Sequence, residues 1–412
     1  MQTNLAPEFK GTPEGLEAEA ILRKCVHCGF CTATCPTYQL LGDELDGPRG
    51  RIYLMKQVLE GAPVTRSTQQ HLDRCLTCRN CESTCPSGVE YGHLVEIVRP
   101  IVDAKVERPA REKAVRWLLK EGLTSPLFGP AMKLGQLMRP LVPAALKGKV
   151  PERPVARAHQ WPTREHPRKM LMLLGCVQPA MMPNINSATA RVLDAAGIQT
   201  LVADEAGCCG AIRTHLNDSE GGLADMRRNI DAWWPLVAGG TVEAIVMNAS
   251  GCGVTVKEYG HALARDPAYA DKARRIVELT RDLSELLPEL AARLKPKLRL
   301  RNVATRLAFH PPCTLQHGQQ LRGGVEHHLN ALGFSVSVAG NESHRCCGSA
   351  GTYSVLQPEL AYQLRDRKLA NLAPLQAQAI VSANIGCIQH LQTGTATPVK
   401  HWVEVLDEAL SH

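Results

Sequence analysis

Two short cysteine runs constrain this chain more than anything else in it. Residues 25–36 read CVHCGFCTATCP and residues 75–86 read CLTCRNCESTCP. Both follow C-x2-C-x2-C-x3-C-P, the spacing of bacterial [4Fe–4S] ligand loops. Three cysteines two residues apart let one loop wrap three corners of a cube. The fourth, followed by proline, leaves the loop and reaches the neighbouring cluster. The expected ligand sets are therefore crossed. Cys25, Cys28, Cys31 and Cys85 would hold one [4Fe–4S] cluster, and Cys75, Cys78, Cys81 and Cys35 a second. Zinc also uses C-x2-C pairs, but it closes with four ligands and has no need of the third step, nor of Pro36 and Pro86. Gly29 is expected to leave room for the cube. Arg23, Lys24, Arg74 and Arg79 read either as cations that favour the reduced cluster or as solvated surface charge, and His27 either as packing or as a tuning group.

The other eight cysteines form a second pattern, C…CCG…C, written twice. Copy one has Cys176, Cys208, Cys209 and Cys252; copy two has Cys313, Cys346, Cys347 and Cys387. The gaps nearly match, with 31 and 32 residues before the pair and 42 and 39 after it. Adjacent cysteines make a strained local disulfide, so they suit joint metal ligation or redox work better than cross-linking; structural core thiols are the plainer alternative. The flanks repeat as well. LDAAGIQTLVADEAGCCG parallels LNALGFSVSVAGNESHRCCG, and EAIVMNASGC parallels QAIVSANIGC. Apolar runs of strand length followed by helix-like stretches indicate alternating α/β units, with Gly197 and Gly333 as helix ends leading into strands. Two similar α/β lobes about a pseudo-twofold axis are expected.

The N-terminal part reads differently. LEAEAILRKC, RIYLMKQVLEG, HLDRC and HLVEIVRPIVDAKVE are helix candidates, which sets the ligand loops among helices. The expected organisation is a helical ferredoxin-type domain over 15–104, a basic proline-rich linker over 105–168, a first lobe over 169–300 and a second over 301–412, α+β overall. Between Lys105 and Lys169 there are fifteen Lys/Arg against five Asp/Glu, a local +10 in a chain of net +7. That stretch reads as a solvated, partly helical linker, or as a basic face for an acidic partner or an anionic membrane surface. Aromatics make up only 4% of the chain and no nucleic-acid motif accompanies the charge, so nucleic acid is not an expected partner. The polar start carries no secretory signal and no run is long enough to span a bilayer, which implies reduced thiols in the cytoplasm, with peripheral contact at the inner face of the membrane as a further reading. His310, His317, His344 and His390 near the CCG motifs read as local hydrogen-bonding groups. Trp233 and Trp234 read as core or interface.

The doubled CCG half resembles the cysteine-rich domain of heterodisulfide reductases. That family's motif ends C-x2-C, whereas here the ends are C-G-V-T after Cys252 and C-I-Q-H after Cys387, one thiol short in each copy. Whether Cys176, Cys208, Cys209, Cys252, Cys313, Cys346, Cys347 and Cys387 hold further iron–sulfur therefore stays open. Longer segments, among them YQLLGDELDGPRGRIYL, NIDAWWP, SGCGVTVKEYG and CCGSAGTY, are similar to iron–sulfur subunits of bacterial glycolate oxidase (glycolate dehydrogenase). The resemblance implies a partner flavin subunit that carries FAD and oxidises glycolate to glyoxylate, a second flavoprotein-like subunit, and a quinone or other membrane acceptor. It implies an electron-transfer role with no catalytic residues in this chain. No dinucleotide fingerprint is present, in keeping with a chain that removes no hydride itself. Lactate-utilisation and anaerobic glycerol-3-phosphate dehydrogenase subunits share the cysteine pattern and are the sister reading. A metal-stapled scaffold is the reading from another class.

Overall fold

The computed structural model describes residues 1–141, 150–154, 156–300 and 305–410. Residues 142–149 and 155 of the expected linker, 301–304 at the expected start of the second lobe, and 411–412 at its end lie outside the described residues.

The first 105 residues are helical. The elements are α1 (Pro13–Lys24), α2 (Phe30–Thr34), α3 (Pro36–Leu41), α4 (Pro48–Leu59), α5 (Arg66–Asp73), α6 (Asn80–Thr84) and α7 (Tyr91–Lys105). Their starts are written locally. The Gly15 N–H donates to the Thr12 hydroxyl, and prolines open α1, α3 and α4, where a missing N–H costs nothing. Leu22, Met55, Leu59, Leu94, Val95 and Val98 bring α1, α4 and α7 together in a dry core. The basic stretch is itself helical, as α8 (Ala110–Thr124) and α9 (Phe128–Leu137), and Arg213 binds Glu121 to tie α8 to the body of the protein.

Two four-stranded parallel sheets follow. The first contains β1 (Arg168–Met172), β2 (Ile198–Leu201), β3 (Ala244–Met247) and β4 (Thr280–Asp282) in the order β2-β1-β3-β4. The second contains β5 (Arg306–Phe309), β6 (Ser335–Val338), β7 (Ala379–Ser382) and β8 (Val399–His401) in the matching order β6-β5-β7-β8. β3 and β7 are buried along their whole length, as helix-covered parallel strands must be. The two lobes share one core, in which Leu193 and Leu290 join Trp402 and Leu406. Helix Pro183–Ala195 packs on helix Trp402–Ala409, and Arg191 grips Asp407 through bonds of 2.9 and 2.8 Å. In each lobe the first and last cysteines follow the C-terminal ends of the two central strands. That is where open α/β sheets collect their functional groups.

Candidate metal centre

The two ligand loops have the same local form. Each begins where a helix stops, α1 at Cys25 and α5 just before Cys75. The backbone then takes two left-handed steps, at His27 and Gly29 in the first loop and at Thr77 and Arg79 in the second. A five-residue helix carries the third cysteine, Cys31 on α2 and Cys81 on α6. The fourth cysteine is extended and ends its excursion at a proline. These steps wind each run into one short loop, and α2 and α6 lie against each other.

Cys85 lines one pocket with Cys25, Cys28 and Cys31, and Cys81 forms part of its wall. Cys35 lies close enough to Cys78 and Cys81 to act on their charge, together with Cys75. Burial pushes three of these thiols up: Cys31 to about 11, helped by Cys25 and Cys28, and Cys78 and Cys81 well above the ordinary range. Cys75 goes the other way. Burial would raise it, but the Arg51 and Arg99 guanidiniums and the Thr77 N–H outweigh that and lower it. Clustered thiols, three of them reluctant to ionise alone, form a donor set that fits cationic iron and not isolated thiolates.

The cations that matter are only partly those the sequence offered. Arg23 pairs with Glu19, Lys24 with Glu90, Arg74 with Asp46 and Arg79 with Glu258. The cations that act on Cys75 are Arg51, 1% exposed, and Arg99, which donates to the carbonyls of Leu72 and Cys75. Sequence reasoning missed both. The available signal was an arginine on the apolar face of each helix, beside Ile52 and Met55 in one case and Val95 and Val98 in the other. Behind Cys35 lies a closed polar knot. Asp46 receives Arg51 at 3.3 Å, Arg74 at 2.8 Å and His71 at 3.1 Å, while Thr37 donates to the Asp46 carbonyl and contacts the Cys35 sulfur at 3.3 Å. The segment YQLLGDELDGPRGRIYL is thus mostly the wall of this cradle.

The second cysteine set forms one thiol chain per lobe. In lobe one, Cys176, Cys208, Cys209 and Cys252 form a series in which each lies close enough to act on the next one's charge. Cys208 is the acidic member, lowered to about 3 by Cys176, Cys209 and the N–H groups of Gly210 and Ile212. In lobe two, Cys313 donates to Cys346 at 3.8 Å, and Cys346, Cys347 and Cys387 continue the chain. Here Cys313, Cys346 and Cys347 are all pushed up. The CCG glycine is dictated by space. Gly210 and Gly348 are left-handed (φ 96° and 91°), and a Cβ would lie 2.9 Å from the Gly222 carbonyl oxygen or 2.4 Å from that of Ala361.

The two halves meet at the second loop. Cys313, Cys346, Tyr353 and Leu364 pack with Leu76, and Cys78 and Leu40 border the same cluster. Tyr353 donates to the Arg74 carbonyl at 3.1 Å, and His317 lies 3.0 Å from the Ser83 hydroxyl and 2.8 Å from the His344 carbonyl. His390 binds the Ala361 carbonyl, and Trp233 is fully buried, which assigns it to the core. Cys28, by contrast, is exposed, with Val26 and Phe30 open to solvent beside it.

These features define an iron–sulfur protein with a helical dicluster domain and a duplicated cysteine-rich body. Residues 21–89 match the family described as "4Fe-4S dicluster domain", and residues 170–257 and 307–392 each match "Cysteine-rich domain". The chain is 54% identical to the glycolate oxidase iron-sulfur subunit of Escherichia coli (strain K12), covering 100% of this chain and 99% of that one. It is 30% identical to the probable glycolate oxidase iron-sulfur subunit of Bacillus subtilis (strain 168), over 96% and 95%. It is 24% identical to lactate utilization protein A of Bacillus licheniformis, which aligns over 58% of this chain and 99% of its own length. The chain belongs to the glycolate oxidase iron–sulfur subunit family.

Proposed function

We propose that the chain is the electron-transfer subunit of a glycolate dehydrogenase complex. It would take electrons from a partner flavin subunit that oxidises glycolate to glyoxylate and deliver them toward a quinone or other membrane acceptor. Cys25, Cys28, Cys31 and Cys85 hold one [4Fe–4S] cluster in this reading, and Cys75, Cys78, Cys81 and Cys35 the other. When bound, the clusters supply one-electron carriage. The residues do the rest. Arg51 and Arg99 balance negative charge at the inner set, the Asp46 knot fixes Cys35, and Leu76 with Tyr353 partly covers Cys78. The observation that supports the reading is the single pocket lined by Cys25, Cys28, Cys31 and Cys85, with Cys81 of the other run in its wall.

The reading places the chain on the cytoplasmic side of the membrane. Among the described residues no helix is long and apolar enough to cross a bilayer. Half of the exposed large apolar side chains, Leu127, Leu134, Leu137 and Leu141 among them, lie on the basic stretch 117–141, a mixture suited to an anionic lipid surface. Two measurements test the proposal. Anaerobically purified chain should carry about eight irons and eight acid-labile sulfides. Its deletion should abolish glycolate-dependent quinone reduction in membranes. Zinc without sulfide, or a loss confined to lactate oxidation, would refute it.

A further inference from the structure

The second lobe buries a donor that the first lobe lacks. The His310 N–H binds the Val381 carbonyl at 2.8 Å, just as the Leu173 N–H binds the Val246 carbonyl at 3.4 Å in lobe one. Each residue stands three positions before its lobe's first cysteine, so the two sites are equivalent. Ser382 and Met247 match in the same way, as the last residues of β7 and β3. Lobe one closes this part of its core with leucine and methionine. Lobe two spends an imidazole and a hydroxyl on it, 1% and 0% exposed. The fold has no structural need for that polar pair, since its twin does without it.

The hydrogen bonds settle the tautomer. The Ser382 hydroxyl donates its one hydrogen to the His310 carbonyl at 3.0 Å. It can therefore only accept from His310 Nδ1, also 3.0 Å away. Nδ1 carries the proton and Nε2 keeps a bare lone pair. Nε2 is buried with no hydrogen-bond partner. A ligand atom from each of His310, Cys347 and Cys387 lies within 4.8 Å of the others, and all three residues are buried.

We propose that lobe two holds one thiophilic divalent cation of the zinc class, bound by His310 Nε2, Cys347 Sγ and Cys387 Sγ. Donors on one tetrahedral zinc, with bonds of about 2.0–2.3 Å, stand about 3.5–4 Å apart, a spacing that this group reaches with little movement. One imidazole and two thiols are a borderline-soft set that suits zinc. Ser382 is the outer partner that fixes the ring, as ligating histidines require. A fourth position is left open. Lobe one, with Leu173, has no imidazole at the equivalent position. The inference does not depend on the electron-transfer reading.

The test is metal analysis and zinc X-ray absorption on the full-length chain purified anaerobically. About one zinc per chain is expected beyond the iron, with sulfur at about 2.3 Å and nitrogen at about 2.0–2.1 Å. His310→Leu installs the side chain that lobe one already packs, so it should fold while losing the zinc. His310→Cys should keep it, and Cys252→Ser in lobe one should leave it unchanged, with iron constant throughout. Ser382→Ala is the milder variant and should weaken zinc about 10–100-fold in competition with a chelator. No zinc in the native chain, zinc retained by His310→Leu, or iron and sulfide lost in its place would overturn the proposal.

Discussion

Asp46→Asn is the substitution that most directly tests how the inner thiol set is held. The carboxylate is 1% exposed and receives Arg51, Arg74 and His71. Arg74 can turn toward water, but Arg51 cannot, because it is as buried as its partner. Removing one member of such a pair leaves an uncompensated charge and costs about 3–5 kcal/mol. Since the amide keeps some hydrogen bonds, the low end applies. About 3 kcal/mol is a factor of roughly 150 in the folding equilibrium. For a domain the size of the helical part this corresponds to about 12–24 °C in melting temperature. Circular dichroism melting under anaerobic conditions, with iron counted on the same sample, reads both stability and cluster retention. Pairing Asp46→Leu with Arg51→Met removes both charges and should recover most of the loss. A single mutant that melts within about 4 °C of the native chain, as an ordinary surface change would, refutes the reasoning.

Three further outcomes follow from the site. Cys35→Ser should spare the paramagnetic centre of the Cys25 loop and abolish that of the Cys75 loop; loss of the other signal would mean the crossing is wrong. Gly348→Ala forces a Cβ to 2.4 Å from the Ala361 oxygen and should cost about 2–4 kcal/mol by denaturant titration, whereas Gly240→Ala, left-handed but in open space, should cost about 1 kcal/mol. The contact of Arg79 and His93 with Glu258 should depend on pH in two directions. Burial opposes ionisation of Glu258, but His93 and Arg79 hold it down to about 2, so its stabilisation is full above the ordinary 4.5 and fades as pH falls toward 2. The Glu258 hydrogen bond raises His93, so that contribution is full below 6.5 and is lost as pH climbs through the raised value. Glu258→Gln should flatten both limbs of melting temperature against pH, and an unchanged profile would count against the assignment.

Much of this was legible in the sequence because cysteine spacing is a local code. Both ligand loops, the four helices around them and the duplicated lobes are written in short-range patterns of thiol, proline and apolar period. The helices begin earlier than the apolar pattern alone suggests, at Pro13 and Pro48, since the first turn is set by a cap and a proline and not by burial. Segment 105–168, expected to be linker, carries two helices in its first half. Long-range partners were not legible. Nothing near Arg51 in the sequence announces the His71 carbonyl as its neighbour, and nothing near Arg79 announces Glu258. His310 looked like a local hydrogen-bonding residue. Only the superposition of two lobes, one with leucine in that place, makes it conspicuous. The segments that mark kinship with the glycolate family proved to be largely packing, with Trp233 in a core and Gly50 where a Cβ would meet the Glu44 oxygen at 2.1 Å.

The open position of Cys28 and the partly covered position of Cys78 give the molecule unequal ends. Oxygen, peroxide or a chelator arriving from solvent reaches the outer sulfurs first, while Leu76 and Tyr353 shelter the inner ones. Damage would then progress from the rim inward, and a population ageing in air would pass through a half-loaded form before losing everything.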